Sequence, residues 1–149
     1  MSPEARAQAD GVDLPLPDGW AVQRAPRTLL TVAAPAPASG FRPNIIVTAV
    51  RSEELIPDAA VAAIESIFER HPGALVISDD VWPHNGVAGR VIVFTYPAGE
   101  TEVVVQHYLW VTERRVITMS ASCATYQYVK LDALFGAVAS GARFTEALA

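Results

Sequence analysis

The chain has 149 residues, a formal net charge of −5 and one cysteine, Cys123. Its 11 Lys and Arg residues are too few for the basic stripe that neutralises phosphates, which argues against nucleic-acid binding. One cysteine supplies neither a disulfide nor a cysteine metal cluster, and no apolar run approaches the roughly 20 residues of a membrane-spanning helix. Charged residues make up 18% of the chain, below the usual share of about 25%, so we expect a surface that forms a homodimer.

The N-terminal segment has no hydrophobic periodicity. We predict a disordered N-terminus over residues 1–12 and a single domain over residues 13–146. Pro15 and Pro17 argue against a central strand at the start of that domain. Because the first residues lack the basic start and apolar core of a signal peptide, we expect a cytoplasmic protein, or an exported one if a leader precedes Met1.

Hydrophobic patterning predicts the remaining elements. Asn44–Arg51 is β-branched and apolar on both faces, which is typical of a central strand. Pro57 and Asp58 open a helix, and His71-Pro72-Gly73 ends it. The other predicted elements are strands over 20–23, 28–33, Leu75–Val81, Val87–Tyr96, Val103–Thr112 and Arg115–Cys123, and a last helix carrying Leu131, Leu134, Phe135, Val138 and Ala142.

The connections between the last four strands are too short for parallel crossovers. These strands therefore form an antiparallel meander. The order of strands, helix, four strands and helix predicts an α+β fold, with helices packed on an antiparallel sheet of about six strands.

One face of the strand over Val103–Thr112 is amphipathic. Gln106, Tyr108 and Trp110 alternate along it, and we group them with the hydroxyl residues of the next strand. Such a face suits contact with a partner protein, so these three are the predicted partner-binding residues. The alternative is that the C-terminal helix covers this face.

The reactive side chains are few and dispersed. His71, His84 and His107 have no second histidine or carboxylate at metal-ligand spacing, and His107 is expected to be a core histidine with one satisfied ring nitrogen. Cys123 lacks a basic neighbour and is expected to be a buried thiol. No glycine-rich phosphate loop or GxSxG motif occurs. We predict no catalytic residues, no metal site and no cofactor.

Several short motifs resemble the actinobacterial LpqN/LpqT lipoprotein family and, more loosely, the PsbP-like superfamily with its DcrB-type members. The similarity runs from about Leu14 to Phe144. It rests on Leu16-Pro17-Asp18-Gly19-Trp20, Phe41-Arg42-Pro43-Asn44-Ile45-Ile46-Val47, Gln106, Thr118-Met119-Ser120-Ala121-Ser122-Cys123 and the closing Phe144.

The resemblance implies a PsbP-like α/β/α sandwich with no known catalysis, in a superfamily whose members bind proteins. Residues 1–12 contain no cysteine and no signal-peptide pattern, so we expect the chain to depart from the lipoproteins in lacking a lipid anchor, unless a leader precedes Met1. The leading hypothesis is a non-enzymatic protein-binding or accessory domain, a chaperone or adaptor linked to secretion or the cell envelope. The alternative is a small-molecule or lipid carrier with a pocket between sheet and helix.

Overall fold

The structure is a computed structural model that describes residues 5–37 and 39–145. The described elements are, in chain order, β1 Arg6–Ala9, β2 Val12–Pro15, β3 Ala21–Gln23, β4 Leu30–Ala33, β5 Asn44–Arg51, α1 Ile56–Arg70, β6 Leu75–Val81, β7 Ala88–Ala98, β8 Thr101–Val111, β9 Arg115–Ala124, α2 Thr125–Ser140 and β10 Arg143–Phe144.

The main sheet has seven described strands in the order β3-β4-β5-β9-β8-β7-β6, which agrees with the predicted sheet of about six strands. Every neighbouring pair is antiparallel, and β6 to β9 form the predicted meander. The α+β fold class is therefore confirmed.

Both helices follow from local sequence signals. α1 has Pro57 in its first turn, where the missing N–H of proline loses no hydrogen bond. It ends as predicted: the His71 N–H donates to the Ile67 carbonyl oxygen, and Gly73 takes φ 88°, a conformation that glycine tolerates. At the start of α2, the side-chain oxygen of Gln127 accepts the Ala124 N–H at 2.8 Å.

The two faces of the main sheet are covered differently. α1 packs on one face, over β7 and β8. α2 packs on the other, over β8 and β9, and the small sheet of β1, β2 and β10 extends the same layer over β4. The main core lies under this second layer, where Leu14 and Phe135 meet Val47 and Met119.

The predicted disorder over residues 1–12 is wrong for the described part of that range. β1 pairs antiparallel with β2, and Arg6 forms an ion pair with Asp13 at 2.6 Å. Residues 1–4 and 146 lie outside the described residues. β2 is also the middle strand of the small sheet, despite its proline. Pro15 is tolerated because it is the last residue of the strand.

A buried arginine joins the small sheet to the main one. Arg115, at the start of β9, donates from Nη1 to the Asp10 carbonyl oxygen at 2.8 Å and from Nη2 to the Thr145 carbonyl oxygen at 2.9 Å. Both ends of the described chain are thereby held against the β8–β9 hairpin. These long-range contacts order an N-terminal segment that has no periodicity of its own.

Candidate functional site

The three predicted partner-binding residues lie inside the protein. Gln106 is 4% exposed, Tyr108 is 2% exposed and Trp110 is fully buried. Their face of β8 lies under α2, which is the alternative that the sequence left open. The prediction of an exposed contact surface at these residues is wrong, and the physical reason is coverage by α2 and β10.

Gln106 is the centre of a polar network that joins β8 to α2. Its Nε2 donates to Asp132 Oδ1 at 2.6 Å and to the Tyr128 hydroxyl at 2.9 Å, and its Oε1 accepts the Tyr108 hydroxyl at 2.7 Å. Burial raises the pKa of Tyr108, and the nearby Tyr128 and Asp132 raise it further. The polar groups that suggested a partner thus bind one another and the Tyr128 and Asp132 side chains of α2.

Aromatic packing closes the rest of this face. Trp110 stacks on Tyr108 with ring centroids 5.7 Å apart, and the Phe144 ring of β10 lies 4.9 Å from the Trp110 ring. Gly89 is opposite Trp110, and a Cβ there would lie 2.4 Å from the Trp82 carbonyl oxygen. Only glycine allows the backbone at Trp82 to approach so closely.

The hydroxyl residues of β9 lie on the opposite face from the one predicted. Ser120 is paired with His107, and Thr118 with Leu109, so both hydroxyls point toward the α1 side. Gln106 is instead opposite Ala121. The two-residue turn at 113–114 dictates this register, because it places Thr112 opposite Arg115 and every even position of β8 opposite an odd position of β9.

A cavity of about 390 Å³ lies on that α1 side, between the helix and strands β5, β8 and β9. Its sheet wall carries the hydroxyls of Thr48, Thr118 and Ser120, and Thr48 and Thr118 are hydrogen-bonded to each other. Its helix wall includes Ala63 and Ile67. The predicted carrier alternative required a pocket between sheet and helix, and the structure contains one.

His107 lines this cavity and is partly exposed to it. Its Nδ1 is 2.7 Å from the Ser120 hydroxyl, as expected for a histidine with one satisfied nitrogen, and its Nε2 has no hydrogen-bond partner among residues 5–37 and 39–145. Burial, with a smaller contribution from the positive charge of Arg70, lowers the pKa of His107 to about 4. His107 is therefore neutral near pH 7.

Cys123 lies on the α2 face and is fully buried, as predicted. Burial raises the pKa of its thiol to about 11, with a smaller contribution from Asp132. The thiol is therefore protonated at neutral pH and shielded from solvent. Within the described part of the chain, no three His, Cys, Asp or Glu side chains come together as a metal site would require.

The sequence did not single out the outer edge of β6. β6 is the last strand of the main sheet, so the backbone groups on its outer side have no strand partner among residues 5–37 and 39–145. Three of its apolar side chains are more than 60% exposed: Leu75, Ile77 and Val81. The other edge is β3, which has only three residues. Only the strand order identifies β6 as an edge, and the sequence alone does not reveal that order.

Comparisons with known proteins identify the fold. Neither family models nor curated protein sequences give a match. Among solved structures, LpqN of Mycobacterium tuberculosis, described as involved in cell envelope biogenesis, aligns with a TM-score of 0.73 and 15% identity over 97% of this chain and 86% of LpqN.

Two further solved structures have a similar fold. The cyanobacterial PsbP of Synechocystis sp. PCC 6803 aligns with a TM-score of 0.70 and 16% identity over 95% of this chain and 92% of that one. A Pseudomonas aeruginosa protein of unknown function, PA94, aligns with a TM-score of 0.64 and 11% identity over 89% and 90% of the two chains. Neither described helix has the length and apolarity needed to cross a membrane. The chain has the LpqN-like, PsbP-like α/β fold that the sequence motifs predicted.

Proposed function

We propose that the chain is a non-enzymatic accessory domain that binds another protein by adding a strand of the partner to the edge of β6. The single observation that carries this proposal is the unpaired outer edge of β6 with its exposed apolar side chains. An exposed sheet edge is a template for an extended segment of another chain, because its free N–H and C=O groups pair with that segment.

The two halves of β6 differ in their charge, and this difference decides which half favours docking of a partner strand. The first half holds the exposed Leu75 and Ile77 and has no charged residue. The second half contains Asp79 and Asp80, and Asp79 is held by Arg90 at 2.9 Å. Charges on an edge discourage unspecific pairing. We therefore assign the recognition of an apolar, extended partner segment to the first half of β6.

The fold is consistent with an accessory role. LpqN is described as involved in cell envelope biogenesis, and the PsbP-like resemblance implies binding of other proteins. For this chain we propose a chaperone or adaptor role linked to secretion or the cell envelope. A homodimer formed by pairing β6 with a second copy of β6 is the competing outcome that the experiment distinguishes.

Site-specific photo-crosslinking tests this proposal. A photoreactive phenylalanine analogue replaces Ile77 in one variant and Val129 in the control, and each is crosslinked in cells of the organism that encodes the protein. Val129 is 91% exposed and equally apolar, but it lies on a helix whose backbone groups are already paired. We expect one defined heterologous adduct at position 77 and none at 129. Adducts only with a second copy, or equal yields at both positions, would contradict the proposal.

A second candidate function is a small-molecule carrier, and the cavity beside α1 favours it. Small-ligand sites typically measure about 300–1,000 Å³, a range that includes this cavity. Native mass spectrometry of the protein isolated from its own organism tests this function. We expect a bound mass that is lost on unfolding and reduced in an Ala63→Leu variant, whose added side chain takes up part of the cavity. Protein mass alone in both samples would count against a carrier.

A further inference from the structure

The cavity beside α1 exists because small side chains are opposite one another. Ala59, Ala63 and Ser66 are three or four positions apart and share one side of the helix. The short hydroxyl residues of β5 and β9 lie across from them. The side chains of the two walls are too short to fill the space between them, so a cavity remains on the α1 side of the sheet. The opposite side, under α2, is tightly packed.

The charges on the cavity wall favour an anion. Arg51 and Arg70 line the cavity together with one acid, Glu54, so the charged wall is net positive although the chain carries −5. Neither arginine forms an ion pair with another described residue. A concave site lined by unpaired guanidinium groups attracts and orients carboxylate or phosphate groups.

The interior of the cavity is mainly apolar, with a few polar groups. Ile67, Phe94 and Leu109 provide aliphatic and aromatic wall, and the hydroxyl pair of Thr48 and Thr118 is already satisfied. The Nε2 of His107 has no hydrogen-bond partner among the described residues, and the ring nitrogens of His71, which also lines the cavity, have none either. A lining of this kind binds the apolar part of a ligand and offers it few polar contacts.

We infer that this cavity binds a small amphipathic anion, with its carboxylate or phosphate head at Arg51 and Arg70 and its alkyl body against Ile67, Phe94 and Leu109. This inference rests on the carrier function proposed above, and it adds the chemical class of the ligand. His107 Nε2 is placed to contact a polar atom near the head.

Titration with four probes that share an octyl chain tests the inference. The probes are octanoate, octyl phosphate, octanol and octyltrimethylammonium, each followed by backbone amide shifts and by calorimetry. We expect both anions to bind with shifts in α1, β5 and β9, and the neutral and cationic probes to bind roughly tenfold more weakly or worse. The anion that binds more tightly identifies the headgroup.

Variants separate the cavity from unspecific binding. Arg70→Gln is expected to weaken octanoate binding roughly tenfold, and Lys130→Gln, which removes an exposed charge from α2, to leave it unchanged. Ala63→Leu, which takes up part of the cavity, is expected to weaken binding, and Ala133→Leu on the exposed side of α2 is its control. Unfolding curves establish that both variants are folded.

The outcomes distinguish two failures. Equal binding of octanol, the cation and the anions would overturn the inference about charge while leaving a carrier function intact. Absence of binding by all four probes, or binding that Ala63→Leu does not reduce, would overturn both the anion inference and the carrier function.

Discussion

The two faces of the main sheet differ in how completely they are covered, although β8 contributes side chains to both. On one face of β8, Gln106, Tyr108 and Trp110 are buried under α2 and β10. On the other face, His107 and Leu109 line a cavity under α1. One strand thus contributes to a closed core and to an open site.

The elements that cover a strand face, rather than the polarity of that face, therefore decide which side of the sheet remains open. The α2 face has two covering units, a helix and the small sheet, and its large side chains such as Phe135 and Trp110 fill the space between the layers. Within the described part of the chain, the α1 face is covered by one helix, whose side toward the cavity is mostly alanines and a serine beside Ile67. The more polar-looking face of β8 is therefore the sealed one.

The largest expected effect is on the sealed face. Trp110→Ala should lower the free energy of unfolding by about 3–5 kcal/mol, because it removes a fully buried indole from a tightly packed layer. Urea unfolding measures this change. Trp82→Ala, which removes an indole that is only partly buried, is the matched control and should cost clearly less. A loss at Trp110 no larger than the loss at Trp82 would mean that this face is not sealed.

A smaller effect is expected in the polar network. Gln106→Leu should cost about 1–3 kcal/mol of unfolding free energy, because the buried Tyr108 hydroxyl loses its acceptor and the Tyr128 hydroxyl loses a donor. Gln8→Leu, at an exposed position, should stay within about 0.5 kcal/mol of the wild type. Similar values for the two glutamine variants would contradict the internal role assigned to Gln106.

The pH dependence of stability tests whether His107 is buried as a neutral ring on the α1 face. The lowered pKa of His107 means that the folded protein holds this ring neutral while the unfolded chain takes up a proton below about 6.5. Stability should therefore fall as the pH drops from about 6.5 toward 4, by up to roughly 1.4 kcal/mol per pH unit from this group.

Unfolding curves of wild type and His107→Gln between pH 8 and 5 measure this contribution. The difference between the two proteins should be constant near pH 8, where the ring is neutral in both states, and should change in favour of the variant below pH 6.5. His71, whose pKa is also lowered, contributes equally to both proteins and cancels. Parallel curves over the whole range would contradict the burial of a neutral His107.

The smallest effect is expected for a hydroxyl of the cavity wall. Thr118→Val should change the unfolding free energy by less than about 1 kcal/mol, because water in the cavity can replace the lost partner of Thr48. The double variant Thr48→Val/Thr118→Val should cost no more than the single one. A loss as large as that of Gln106→Leu would indicate that this side of the sheet is as tightly closed as the other.

The sequence predicted the long elements well. β5 and β6 match the predicted bounds, and α1 ends where expected, because each has a full local pattern and clear stop signals. β1, β2 and β10 were missed because they have two to four residues each and depend on pairing between distant parts of the chain. Arg115, which fixes that pairing, carries no local signal.

The candidate site was harder to predict than the fold. The sequence was sufficient to predict that Ser120 and His107 lie on the same face of the sheet. A two-residue turn between strands determines which positions are opposite each other. The sequence was not sufficient to predict the cavity, because its volume depends on how α1 packs over β8 and on which small residues face one another. The β6 edge likewise requires the strand order.

One thiol-labelling experiment tests the central claim, that the α2 face is sealed and the α1 face is open. Cys123 is the native probe of the sealed face, and Ser120→Cys on a Cys123→Ala background places a thiol in the cavity wall. Iodoacetamide labelling is followed by mass spectrometry under native conditions and again in denaturant. The account predicts rapid labelling at position 120, none at Cys123 until the protein unfolds, and equal rates in denaturant. Equal labelling of the two thiols in the native protein would contradict it.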